Sequence, residues 1–106
     1  MIRRVSNIVV TVNDAGATAD NYCRLFGLKK IRDRPSREAG IERDILLEIT
    51  EDMTLEITQP LDSPEASPMR RFLNKRGEGL FSFSVVVDNV DEATKELESK
   101  GAQVWK

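Results

Sequence analysis

Residues 7–27, NIVVTVNDAGATADNYCRLFG, and residues 82–101, SFSVVVDNVDEATKELESKG, carry the same pattern 75 positions apart. Each opens on a short apolar run, 7–12 or 82–87, whose β-branched residues favour a strand. Each run leads to a helix start, and Asp14 falls on Asn89. Asp and Asn cap helices well because their side-chain oxygens accept from the backbone N–H groups left free there. Asn89 with Glu92 three residues on reads as a capping box. The first helix sets Ala19, Tyr22, Cys23 and Phe26 at helical spacing and stops at Gly27, suited to a left-handed cap. The second sets out Val90, Ala93 and Leu97 and stops at Gly101. Its pairs Asp91–Lys95 and Glu96–Lys100 add roughly 0.3 kcal/mol each on the wet face. A strand–helix unit that recurs at a fixed offset is an internal duplication, and it governs how the rest of the chain is read.

Three further strands are expected between the repeats, over 29–33, 44–50 and 54–59. In the second, Ile45, Leu47 and Ile49 alternate with Asp44, Leu46 and Glu48; in the third, Leu55 and Ile57 alternate with Thr54, Glu56 and Thr58. Period-two runs of this kind suit a sheet with one face on a helix and the other facing something more polar. Residues 34–40 read as a polar loop, and 62–66 as a linker before a short helix with Ser67 as N-cap and Pro68 at its first position. The expectation is therefore a single α+β domain over 1–106. A β-α-β-β-β module spans 1–61, a linker with its helix 62–79, and a partial second module 80–106 that stops after its β-α-β part, 102–106 forming its last strand. Paired modules would make a cupped sheet, and open strand edges in the short second module would invite a homodimer or a strand-exchanged oligomer.

The composition excludes several function classes. A net charge of −2 gives no field for nucleic acid or an anionic membrane. No apolar run reaches membrane-spanning length, and because residues 1–4 lead straight into a strand, no signal peptide is expected. One cysteine, Cys23, rules out an internal disulfide and fits a cytoplasmic protein. With no histidine, the chain lacks both the commonest general base and the commonest transition-metal ligand.

Three stretches, NIVVTVNDAGATADNYCRLFGLK, LEITQPLDSPEASPMRRFLNKRGEGL and VVVDNVDEATKELESKGAQV, resemble the vicinal oxygen chelate superfamily. That superfamily includes glyoxalase I, extradiol dioxygenases, fosfomycin and bleomycin resistance proteins and methylmalonyl-CoA epimerase, and the resemblance is strongest to the epimerase-like branch. It implies two β-α-β-β-β modules and a divalent metal held by one residue from each of four strands, acting as a Lewis acid. The first ligand position, usually histidine, corresponds to Asn7. The second corresponds to Glu56, the third, usually histidine, to Ser82, and the fourth would lie beyond Lys106. Alternation sets Asn7, Glu56 and Ser82 on the face opposite Ile8, Leu55, Ile57 and Phe83. Asp44 corresponds, across a gap, to the carboxylate that removes the substrate's α-proton in the epimerases.

These correspondences argue against a working metal site. A tight hard-cation site needs around six oxygens, several of them charged, and Glu56 alone does not supply them. Glu56 reads as a carboxylate hydrogen-bonded to Asn7 and Ser82 or simply solvated at an open cup, with a remnant ligand or general base as the rival; Asp44 reads as a surface carboxylate, with proton abstraction the rival. Cys23 reads as an inert buried thiol with no histidine to activate it. Arg32, Arg34, Arg37 and Arg43, and Arg70, Arg71, Lys75 and Arg76, read as solvated surface, with binding of a phosphate-bearing thioester as the rival. Phe72 and Leu73 anchor the short helix, Phe81 and Phe83 are core or interface residues, and Gly77-Glu78-Gly79 is a turn. The expected function is a metal-free, non-catalytic cup for a small organic ligand, or a dimeric scaffold, with no cofactor. The alternative is a divalent-metal isomerase or lyase of the methylmalonyl-CoA epimerase or lactoylglutathione lyase type, completed by further strands or a partner chain.

Overall fold

A computed structural model describes residues 1–63 and 67–105. The elements run β1 (Ile2–Thr11), α1 (Ala15–Phe26), β2 (Lys29–Ser36), a 3-10 turn (Arg37–Ala39), β3 (Ile41–Thr50), β4 (Met53–Pro60), α2 (Pro68–Arg76), β5 (Gly79–Val87) and α3 (Val90–Ser99). The five strands form one curled sheet in the order β2-β3-β4-β1-β5. β1 runs parallel to β4 and antiparallel to β5, and the other pairs are antiparallel. The two copies of the repeat thus meet at the β1–β5 seam.

The caps form where the sequence sets them. Asp14 accepts from the Ala17 N–H at 3.0 Å, and Asn89 accepts from the Glu92 N–H at 3.0 Å. Gly27 closes α1 at φ 66°, a left-handed conformation that a residue with a Cβ adopts only with strain. Ser67 caps α2, and Arg70 pins that helix to the end of β4 by donating to the carbonyls of Leu61 and Pro60, both at 3.0 Å. Arg70 therefore belongs to the scaffold rather than to a solvated basic patch. Phe72 meets Phe81 edge to face, 5.4 Å between ring centres, which holds α2 against β5.

α1 lies across β3 and β4. Val12, Ala15, Ala19, Ile45, Leu47, Leu55 and Ile57 form the core, with Cys23 packed half-buried against it. Burying a Leu or Ile side chain is worth about 1.5–3 kcal/mol, so this cluster provides the main apolar driving force. No helix among the described residues is long and apolar enough to cross a membrane.

Three expectations need correction. The loop expected over 34–40 is shorter, because β2 continues to Ser36 through Pro35. Proline is tolerated there because β2 is an edge strand and the β2–β3 register slips between Arg34 and Ser36. β3 also starts earlier, at Ile41. The strand expected over 102–106 is absent from 102–105, while Lys106 lies outside the described residues. In the first repeat β2 pairs with β3 alone, and no counterpart of β3 is present among the described residues to give 102–105 a ladder. The linker expected at 62–66 falls partly on 64–66, also outside the described residues.

Candidate functional site

The face of the sheet opposite α1 carries the polar cluster. Cross-strand pairing sets Arg32, Leu46, Glu56, Val9 and Ser82 in one row across all five strands. Side chains opposite one another in neighbouring strands share a face, so Glu56 and Ser82 face the same way, with Val9 between them. Asn7 sits one step along, paired with Thr54 on one side and Ser84 on the other.

Asn7 and Glu56 meet directly. The Asn7 Nδ2 donates to Glu56 Oε1 at 3.0 Å, while the Thr54 hydroxyl donates to Asn7 Oδ1 at 2.7 Å. The Glu56 carboxylate, which only accepts when ionised, favours the amide nitrogen on its side, since the Thr54 hydroxyl can pair with either end. On the other side, Arg32 Nη2 donates to Asp44 Oδ2 at 3.0 Å and lies 3.7 Å from Glu56 Oε2. Burial pushes the Glu56 carboxyl up from its usual range, the neighbouring Asp44 pushes the same way, and the Asn7 donor and Arg32 charge work against both.

Asp44 is not a surface carboxylate: it is 5% exposed and belongs to this cluster. The β2–β3 pairing explains it, since the register slips between Lys30 and Arg32 and brings the Arg32 side chain over Asp44. Arg32 likewise is a partner of two acids rather than a solvated cation. Arg43 is engaged too, on Asp33, through Nε at 2.9 Å and Nη2 at 2.8 Å. Ser82 is exposed and makes no side-chain hydrogen bond among the described residues. Two buried polar atoms of the cluster, Arg32 Nε and Asp44 Oδ1, have no hydrogen-bond partner among the described residues.

The donor set does not fit the divalent metal that the resemblance implies. Asn7 turns its amide nitrogen, not its oxygen, toward Glu56. Ser82 is a strand away across Val9, and a guanidinium already faces the Glu56 carboxylate. Among the described residues no group of three or more His, Cys, Asp or Glu is gathered to hold an ion. The arrangement offers instead a hydrogen-bonding floor with one half-buried carboxyl, one buried carboxylate and one cation.

Known proteins share this architecture. A search of curated proteins returns no match. Among solved structures, methylmalonyl-CoA epimerase from Mycobacterium tuberculosis superposes with a TM-score of 0.82 at 24% identity, over 99% of this chain and 69% of that one. A Streptomyces coelicolor methylmalonyl-CoA epimerase variant in complex with 2-nitronate-propionyl-CoA gives 0.83 at 24% identity, over 100% of this chain and 77% of that one. A hypothetical protein from Bacillus halodurans C-125 gives 0.81 at 27% identity, over 94% and 70%. These likenesses establish the fold. The family model described as the glyoxalase/bleomycin resistance protein/dioxygenase superfamily matches residues 7–106, and the chain belongs to that superfamily.

Proposed function

We propose that this chain uses the polar face of its sheet as a metal-free, non-catalytic cup for a small organic ligand. The observation that carries the reading is the state of Glu56, whose two oxygens are both engaged: Oε1 accepts from Asn7 and Oε2 faces Arg32. To ligate a metal, Glu56 would have to give up a hydrogen bond and an ion pair. Neither Asn7 nor Ser82 would then bring a charge to the ion. A ligand carrying both donors and acceptors fits better, because Arg32 donates, Asp44 accepts, and Glu56, with its raised pKa, donates when protonated. A role as a dimeric scaffold is compatible with this reading, since the outer edge of β5 is unpaired among the described residues and suits a strand from a second copy.

A second reading is favoured by one observation, the Asp44–Glu56 pair on the face where the fold neighbours include epimerases acting on an acyl-CoA. Under it the chain is a metal-dependent isomerase or lyase completed by further strands or a partner. Exchange of the α-proton of methylmalonyl-CoA in deuterated water separates the two. The cup reading expects no exchange above background with or without added Co²⁺. It also expects any ligand found by thermal shift to lose its effect in Glu56→Ala. Metal-stimulated exchange abolished by Asp44→Asn would establish the second reading instead.

A further inference from the structure

We infer that Arg32 is the resident cation of this site: its guanidinium stands where two carboxylates converge and keeps divalent metal ions out. The inference rests on the metal-free reading of the cup, and the two fail in different ways. One nitrogen, Nη2, faces Asp44 Oδ2 at 3.0 Å and Glu56 Oε2 at 3.7 Å. Two acids leaning on one point mark a place of negative potential that a cation fills.

The same sheet holds a contrasting arginine. Arg43 grips Asp33 as a fork, Nε on one oxygen and Nη2 on the other, with Lys30 also donating to Asp33 Oδ2 at 3.1 Å. Arg32 makes no such fork. It divides a single nitrogen between two carboxylates and leaves its own Nε and the Asp44 Oδ1 buried without partners. The Asp44 side chain is 8% exposed, so this carboxyl sits in a place of low polarity with Oδ1 lacking a hydrogen-bond partner among the described residues. Without Arg32, Asp44 and Glu56 would face each other with no counter-charge. The two carboxylates that would remain are oxygen donors of the hard type that Mn²⁺, Mg²⁺ and Ca²⁺ prefer. Arg32 lies on the edge strand with its side chain 32% exposed, so replacing it leaves the core intact.

The test is a Mn²⁺ titration followed by the electron paramagnetic resonance signal of the free ion. It compares wild type, Arg32→Gln, Arg32→Ala, Arg32→Lys and the double variant Arg32→Gln/Asp44→Asn, each checked by circular dichroism. Wild type and Arg32→Lys should leave the free-ion signal unchanged. Arg32→Gln and Arg32→Ala should bind one Mn²⁺ at least about tenfold more tightly than wild type, the least expected from removing a charge a few ångströms away. The double variant should lose that gain. Two neutral replacements guard against one of them failing to fold. If both folded neutral variants are as inert as wild type, the inference is overturned while the metal-free reading stands. Tight one-to-one binding by wild type with Arg32 in place overturns both.

Discussion

β1–α1 and β5–α3 start from the same sequence pattern, yet their helices end in different surroundings. In α1, Ala15 and Ala19 are 0% and 1% exposed, although Tyr22 and Phe26 reach 37% and 66%; in α3, Ala93 is buried at 9% while Val90 and Leu97 stand at 70% and 43%. The helices do not differ in kind, since each has an Asx cap and an apolar stripe. The difference lies in the strands that come after them. α1 lies on β3 and β4, which the chain supplies after it, while α3 has no such strands among the described residues. The amphipathic pattern makes the helix, but the meander of strands makes its burial. The seam itself shows the same asymmetry. β1 has a strand on each side, whereas β5, with one edge unpaired among the described residues, carries Leu80 at 55% and Phe83 at 59% exposure.

Two leucine truncations, one in the sheet beneath α1 and one on α3 itself, put the greatest strain on this contrast. Leu47→Ala, beneath α1, should lower the unfolding free energy by roughly 2–5 kcal/mol in a urea titration, as expected for a fully buried leucine. Leu97→Ala, on α3, should change it by about 0.5 kcal/mol or less. Equal losses would mean that α3 is packed as α1 is, and the contrast would fall.

A smaller effect separates the two faces of the first module by pH. The Arg43 fork beside Asp33 holds its carboxyl well below the ordinary value of 3.8. The folded state therefore binds the Asp33 proton more weakly than the unfolded state does. Its stabilisation is present above that ordinary value and is lost as pH falls toward the lowered one. Glu56 has the opposite sign. Its pKa is raised above 4.5, so the folded state holds the proton more tightly, and this contribution fades as pH rises through the raised value. Denaturant titrations across the acidic range should show Asp33→Asn flattening the acid-side fall in stability. Glu56→Gln should instead remove a decline on the rising side. Identical pH profiles for the two variants would contradict the assignment of burial to Glu56 and a fork to Asp33.

Much of the fold was legible because it is written in local chemistry. The repeat, both Asx caps, Ser67 with Pro68 at the start of α2, and Gly27 at the end of α1 are signals a few residues long. Strand alternation sets Asn7 and Glu56 on one face, while it is the resemblance to the superfamily that implies they lie together. The meeting of Arg32 and Asp44 was not legible. They lie 12 residues apart, and their meeting depends on a register slip between Lys30 and Arg32 within a run, KKIRDRPS, that has no apolar alternation to fix it. The extension of β2 through Pro35 was hidden for a related reason. Proline argues against a strand unless the strand is an edge, and edge position belongs to the whole sheet. The strand expected at 102–106 differs the other way over 102–105: its local pattern is adequate, but a strand exists only where a partner accepts its hydrogen bonds, and none does among the described residues.

On our reading, the family's metal position has been given over to a hydrogen-bonded carboxyl and an arginine. The experiment that bears on this hardest is to purify the protein without tag or chelator and measure bound metal by mass spectrometry. Co²⁺, Ni²⁺, Mn²⁺ and Zn²⁺ are then titrated by calorimetry. The expected result is no stoichiometric metal as purified and no binding tighter than about millimolar, the weak end of oxygen-ligand sites. One equivalent of metal bound at micromolar affinity, and lost in Glu56→Ala, would overturn the reading.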